Sequence, residues 1–282
     1  MKKEFKLVAL DLDGTLFNSK SSISDNNKKA IKAASASGTI FVIATGRPYR
    51  GLPLADMEEL GIRYAITSNG AAIYTVPERK CLLENCMPWK QTADLVDELL
   101  TLPIHMDLFI DGNAYTPEAC REIVENMTHF PKELKEYILS TRTLIPDITD
   151  LLRSKKTDIQ KVTLNFPVTA DDTILYRDQA IEILKRHPNV CYLSGGFGNL
   201  EFTRRGISKA KGLTFLCEHL NIPTAQTIAC GDSENDLDIL KTAGLGIAMA
   251  NAPKHVQTEA DEIAPSNDAD GVAAVINKWI LT

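Results

Sequence analysis

The stretch Lys6-Leu7-Val8-Ala9-Leu10-Asp11-Leu12-Asp13-Gly14-Thr15-Leu16 decides how this chain is read. Its first half is a short apolar strand. Its second half places two carboxylates, separated by a single residue, directly past the strand's end. Like charges that close repel, and burial raises the pKa of both. A bound divalent cation removes both problems and lets a carboxylate approach an anionic substrate such as a phosphate ester. Asp and Gly also favour turns after strands. Taken alone, the stretch reads more readily as a turn than as a site.

The flanking sequence repeats a strand–helix rhythm. Residues 6–10 form a strand, and residues 24–37 a helix with Ser24 as N-cap and Gly38 as its stop. Residues 39–44 are a nearly continuous apolar run, as in a strand covered on both faces. Pro48 opens a second helix that ends near Gly61, and residues 64–66 are a third strand. The rhythm returns with a helix at 208–220, a strand at 226–230, a helix at 233–242, a strand at 246–249 and a closing helix at 270–280. This pattern predicts an α/β fold: a doubly wound parallel-sheet, Rossmann-like core.

The middle of the chain differs. Helices are expected at 88–100, 117–127, 132–140, 147–153 and 172–186, and a hairpin at 108–116 around Asp111-Gly112-Asn113. Residues 159–166 alternate as a strand, and strands at 191–193 and 199–202 flank Ser194-Gly195-Gly196-Phe197-Gly198. The expected organisation is a core of residues 1–85 and 193–282, split by an inserted α+β domain at 86–192.

Composition excludes several classes. With 282 residues, 44% hydrophobic and 24% charged, the chain is an ordinary globular protein with a substantial core. The net charge of −6, with no Lys/Arg run, argues against nucleic acid as a partner. It leaves room for a small phosphorylated metabolite, which a metal ion and one or two placed cations hold locally. No run approaches the roughly 18–20 apolar residues of a membrane span. The first apolar run stops at Asp11 and is no signal-type segment, so a cytoplasmic location is expected. Cys81, Cys86, Cys120, Cys191, Cys217 and Cys230 form neither CxxC nor zinc-type spacings, which suggests free thiols in a reducing compartment. Nothing in the residues bears on oligomeric state.

In a doubly wound sheet, ligands bind past the carboxyl ends of the strands. Those positions hold Asp11 and Asp13, then Thr45-Gly46-Arg47, then Ser68-Asn69-Gly70, then Gly231-Asp232-Ser233-Glu234-Asn235-Asp236. Carboxylates, hydroxyls, amides and glycines converging on one edge suit phosphoryl transfer. Asp11 is the candidate nucleophile, forming an aspartyl-phosphate. Asp13 is the candidate acid that protonates the leaving oxygen and the base that then activates water. Mg²⁺ between Asp11 and Asp232 would offset repulsion between carboxylate and phosphate. Thr45 and the Gly46 N–H suit phosphoryl oxygens. A lysine would complete the charge balance, and Lys209 and Lys211 are both available.

These segments occur in order, together with Ile207-Ser208-Lys209, Ala248-Met249-Ala250-Asn251-Ala252 and Asp270-Gly271-Val272-Ala273. The ordered set closely resembles the haloacid dehalogenase-like hydrolases, specifically their Cof-type sugar-phosphatase branch, over essentially the whole chain. The resemblance implies that Asp11 is nucleophile and Mg²⁺ ligand, and that Asp13 is acid/base and a ligand through its backbone carbonyl. It implies that Asp232 completes the protein's Mg²⁺ ligands. Phosphate would be bound by Thr45, Lys209, Asn235 and the backbone N–H groups of Leu12 and Gly46. Asp236 would orient the metal shell or Lys209, and the inserted segment would be a substrate-selecting cap.

The chain departs from the pattern at Ile239, where the family usually has Met, and at Ala210-Lys211-Gly212. A phosphomutase on the same core, and a phosphatase of flavin-pathway or pyridoxal phosphates, are the alternatives. An ion pump is disfavoured by the missing spans, and a non-catalytic relic by the intact acidic set. Arg47 and Asn69 sit at the presumed active edge, with a substrate or structural role. Arg204-Arg205 is a solvated pair or meets a second anionic group. The histidines lie in no shared motif.

Overall fold

The structure is a computed structural model and describes residues 4–281. The chain divides into two compact units. The first holds the residues up to Gly46, Leu52–Leu83 and those from Ser208 onward; the second holds Arg47–Gly51 and Glu84–Ile207.

In chain order the elements are β1 (Leu7–Leu10), α1 (Asp25–Ala36), β2 (Ile40–Ala44), α2 (Leu54–Glu59), β3 (Tyr64–Thr67), β4 (Ala72–Thr75) and β5 (Cys81–Glu84). Next come α3 (Trp89–Leu99), β6 (His105–Ile110), β7 (Asn113–Pro117), α4 (Arg121–Glu125), α5 (Lys132–Thr141), β8 (Thr143–Ile145) and α6 (Ile148–Lys155). They are followed by β9 (Lys161–Asn165), α7 (Arg177–Lys185), β10 (Val190–Leu193) and β11 (Leu200–Arg204). The chain closes with α8 (Lys209–Leu220), β12 (Thr227–Gly231), α9 (Leu237–Thr242), β13 (Leu245–Met249), α10 (Lys254–Glu259), β14 (Glu262–Ala264) and α11 (Gly271–Trp279).

The first unit is built on an eight-stranded sheet in the order β14-β13-β12-β1-β2-β3-β4-β5. From β14 to β3 every pairing is parallel, and β4 turns antiparallel against β3. The α/β, Rossmann-like reading is therefore the observed fold. Every residue of β1 is buried, as expected of a strand covered on both faces. Leu7 and Ala9 pack with Leu213 and Leu216 of α8 and with Ile239 of α9. β1 has β2 on one side and β12 on the other, with Leu10 opposite both Ile43 and Cys230. That is the topological switch point, where the loops part and leave a crevice.

The second unit carries a six-stranded sheet in the order β10-β11-β9-β6-β7-β8. The Asp111-Gly112 turn takes φ of 46° and 67°, the paired left-handed geometry of a tight hairpin. Side chains alternate across this sheet. Met106, Leu108, Val162, Leu164, Leu200 and Phe202 enter an apolar core with α3, α6 and α7. Their neighbours Asp107, Lys161, Thr163, Asn165 and Glu201 form a polar face and are buried too. On that face Lys161 pairs with Glu201 at 2.7 Å, and the Arg142 Nε donates to Asp107 at 2.9 Å.

Several expected boundaries shift. Residues 193–207 were expected in the core, but they belong to the second unit because β11 pairs with both β10 and β9. The helix expected at 172–186 starts only at Arg177, since Asp172 and Tyr176 hold left-handed φ of 63° and 65°. The helix expected from Pro48 is a 3₁₀ turn, Tyr49–Gly51, followed by α2. Pro53 disfavours helical backbone at the residue before it. β8 pairs parallel to β7, while the other pairings of the second sheet are antiparallel. No described helix is long and apolar enough to cross a membrane.

Candidate active site

Past the end of β1, the chain folds back in a tight loop. Leu16 N–H donates to the Asp11 carbonyl and Phe17 N–H to the Leu12 carbonyl, at 3.2 and 2.8 Å. Leu12 and Thr15 are buried, which holds Asp11 inward while Asp13 stands exposed. Asp11 is only 6% exposed.

Lys209 opens α8. A cation there opposes the positive end of the helix dipole, and this one is also buried. Its Nζ donates to Asp11 Oδ1 and to Asp236 Oδ1, each at 2.7 Å. Burial alone would lower the ammonium's pKa, but Asp11 and Asp236 outweigh it and hold it above its ordinary value. Lys211 is exposed, so the geometry puts Lys209 in the cluster.

Asp236 uses its other oxygen on backbone. Oδ2 accepts from the N–H groups of Asp232 and Ser233 at 3.0 and 3.1 Å. One carboxylate therefore both shapes the loop after β12 and holds the lysine. Asn235 Nδ2 donates to Asn69 Oδ1 at 3.3 Å, and Asn69 N–H donates to the Thr45 carbonyl at 3.1 Å. Thr45 is buried beside them, with Gly46 half-buried. Arg47 lies in the second unit. Its guanidinium stacks over the Tyr137 ring at 4.1 Å and donates to the Gly51 carbonyl at 3.1 Å.

The site is charge-crowded. Burial, then the carboxylates of Asp236, Asp232 and Asp13, push Asp11 well above its ordinary value, against the pull of Lys209. Burial and Asp236 push Asp232 up to about 7. Oxygens of Asp11, Asp232 and Asp236 lie within 4.8 Å of one another. An all-oxygen set with surplus negative charge suits a hard divalent cation such as Mg²⁺. Asp236 is already engaged by Lys209 and two N–H groups, which leaves Asp11 and Asp232 as the available carboxylates. The Asp13 carboxylate is not in this group.

Asn251, within Ala248–Ala252, carries no role legible in the sequence, yet it lies in the site. Its Nδ2 donates to the Gly14 carbonyl at 2.8 Å and to Asp232 Oδ2 at 3.2 Å. The available signal was its place directly past the end of β13.

Known proteins match this chain along its length. A family model for haloacid dehalogenase-like hydrolases matches residues 8–276. Phosphatase YwpJ of Bacillus subtilis (strain 168) is 29% identical over 95% of this chain and 97% of its own. The 5-amino-6-(5-phospho-D-ribitylamino)uracil phosphatase YcsE of the same organism is 30% identical over 99% of this chain and 97% of its own. The solved structure of a haloacid dehalogenase-like hydrolase from B. subtilis superposes with a TM-score of 0.83 at 28% identity, covering 97% of this chain and 99% of that one. With the acidic cluster at the switch point and a match spanning nearly every residue, the chain belongs to the haloacid dehalogenase-like hydrolase family.

Proposed function

We propose that this chain, a phosphoric monoester hydrolase, cleaves the phosphate esters of small metabolites through an aspartyl-phosphate on Asp11. The observation that carries the reading is the buried Asp11 carboxylate held against Lys209 at 2.7 Å, beside Asp232. An Asp11 oxygen attacks phosphorus and the ester oxygen departs, taking its proton from Asp13. Asp13 then withdraws a proton from water, which attacks the phosphorus and releases inorganic phosphate and free Asp11. Lys209, the Thr45 hydroxyl, Asn235 and the N–H groups of Leu12 and Gly46 hold the phosphoryl oxygens. Mg²⁺, held by Asp11, the Asp13 carbonyl and Asp232, would supply the charge that lets two anions meet.

Sugar phosphates are the proposed substrate class, with choice among them assigned to the second unit. A flavin-pathway phosphate is the second reading, favoured by the full-length similarity to YcsE. Both substrates are phosphate esters of polyhydroxy chains. Cys120, Cys217 and Cys230 are buried free thiols and Cys191 is a half-buried one, which supports a cytoplasmic location.

The test is phosphate release from p-nitrophenyl phosphate and from a panel of phosphorylated metabolites. Asp11→Asn is expected to abolish turnover with an unchanged circular dichroism spectrum, and EDTA to silence the wild type. Wild-type activity in the variant would remove the nucleophile assignment. Activity in EDTA would remove the metal. Turnover that needs a bisphosphate activator would favour the phosphomutase.

A further inference from the structure

We propose that Asn251 is a positioning residue that presents Asp232 to a divalent cation through one oxygen only. The inference rests on the Mg²⁺ reading above and concerns how the chain sets that ligand's geometry.

Asn251 lies just past β13, on neither loop that carries the acidic residues. Its Oδ1 accepts from the Asn267 N–H at 3.1 Å, while its Nδ2 donates to Gly14 O at 2.8 Å and Asp232 Oδ2 at 3.2 Å. These partners fix the amide's orientation. The flipped amide would set an N–H₂ against an N–H and an oxygen against two oxygens. Asn267 is itself anchored, with its Nδ2 donating to the Phe17 carbonyl at 2.9 Å. One amide therefore joins the loop after β1, the loop after β12 and the segment before α11.

Asp232 Oδ2 is confined from the other side as well. Gly14 has φ of +77°, and a Cβ there would sit 2.1 Å from that oxygen. Glycine is required both for the backbone conformation and for the carboxylate's close approach. With Oδ2 held between Asn251 and Gly14, Oδ1 is the oxygen left for a cation. Mg²⁺ demands near-octahedral ligation at short range, whereas Ca²⁺ accepts a carboxylate through both oxygens. Residues that orient a ligand from behind typically change metal affinity by about 10–100-fold when removed. Losing the Asn251 amide frees Asp232 to rotate. That penalises Mg²⁺ and leaves Ca²⁺ far less affected.

Calorimetric titration of Mg²⁺ and of Ca²⁺ into the metal-free wild type and Asn251→Ala tests this. The expected result is an Mg²⁺ Kd weakened about 10–100-fold, with the Ca²⁺ Kd changed several-fold less. Circular dichroism of the metal-free proteins checks the fold. If Asn251→Ala does not fold, Asn251→Ser, which keeps a short polar side chain, undergoes the same titrations. An Mg²⁺ Kd within twofold of wild type overturns the inference. So does equal weakening for both cations, which would make Asn251 a brace for the loops. A wild type that binds no Mg²⁺ overturns the metal reading itself and this inference with it.

Discussion

Lys209 occupies a position that costs stability three times over: the first turn of a helix, a buried environment and the end of a side chain with much entropy to lose. It is retained where Asp11 and Asp236 both accept from it. Its placement depends on Gly70. Ser68, Asn69 and Gly70 run consecutively through left-handed φ, at 52°, 57° and 98°. That bend brings Gly70 so close to α8 that a Cβ would sit 2.1 Å from the Ser208 carbonyl. Gly70→Ala has to move the helix start that carries Lys209. It is expected to cost about 1–3 kcal/mol in urea unfolding and on the order of 10²-fold in kcat. Gly38→Ala is the control. Gly38 has a similar φ of +97° but nothing within 4 Å. It should lose stability and keep kcat. If both variants keep kcat, the Gly70 contact does not position Lys209.

At the scale of elements, the second unit's sheet rests on a buried polar strand row. Asp107 of β6 is fully buried and accepts from Arg142, from Thr116 and from the His105 ring. Asn165 of β9 donates to the other ring nitrogen of His105 at 2.9 Å. Burial alone would raise the Asp107 carboxyl; Arg142 and His105 outweigh it and hold it well below the carboxylate range. A carboxyl with a depressed folded pKa adds stability above its unfolded value of about 3.9 and loses it as pH falls through the folded value. Asp107→Asn leaves the buried Arg142 without its counter-charge and is expected to cost about 3–5 kcal/mol at pH 7. Urea melts of both proteins from pH 7 down to pH 3 check this. A cost under about 1 kcal/mol would mean that the pair contributes no more than an exposed one.

At the scale of the whole molecule, the site is a local concentration of like charge. Burial and Asp236 raise the Asp232 carboxyl to about 7 in the folded protein, against about 3.9 unfolded. A carboxyl raised on folding contributes stability fully below about pH 4, and this is lost as pH rises through 7. The metal-free protein should therefore weaken from pH 4 to pH 8, and Asp232→Asn should weaken less. Mg²⁺ at about 100 times its Kd should restore about 2.7 kcal/mol to the wild type and little to the variant. Thermal melts in EDTA and in Mg²⁺ across that range decide it. Identical pH slopes for the two proteins would exclude Asp232 as a major source of the strain.

The short apolar runs at 6–10, 39–44 and 226–230, alternating with helical segments, were enough to determine the parallel core, because parallel strands need crossover helices that cover both faces of the sheet. The same logic of strand ends located Asp11, Thr45, Asn69 and Asp232. It could not separate Lys209 from Lys211, since both lie in one helical turn and only packing decides which is enclosed. Nor could it place residues 193–207. Short strands carry little signal of their own, and the pairing of β11 with β9 sets where the second unit ends. Arg142 with Asp107, and Asn251 with Asp232, were equally invisible. Each pair is ordinary in sequence and is joined only by hydrogen bonds that tertiary packing brings within reach.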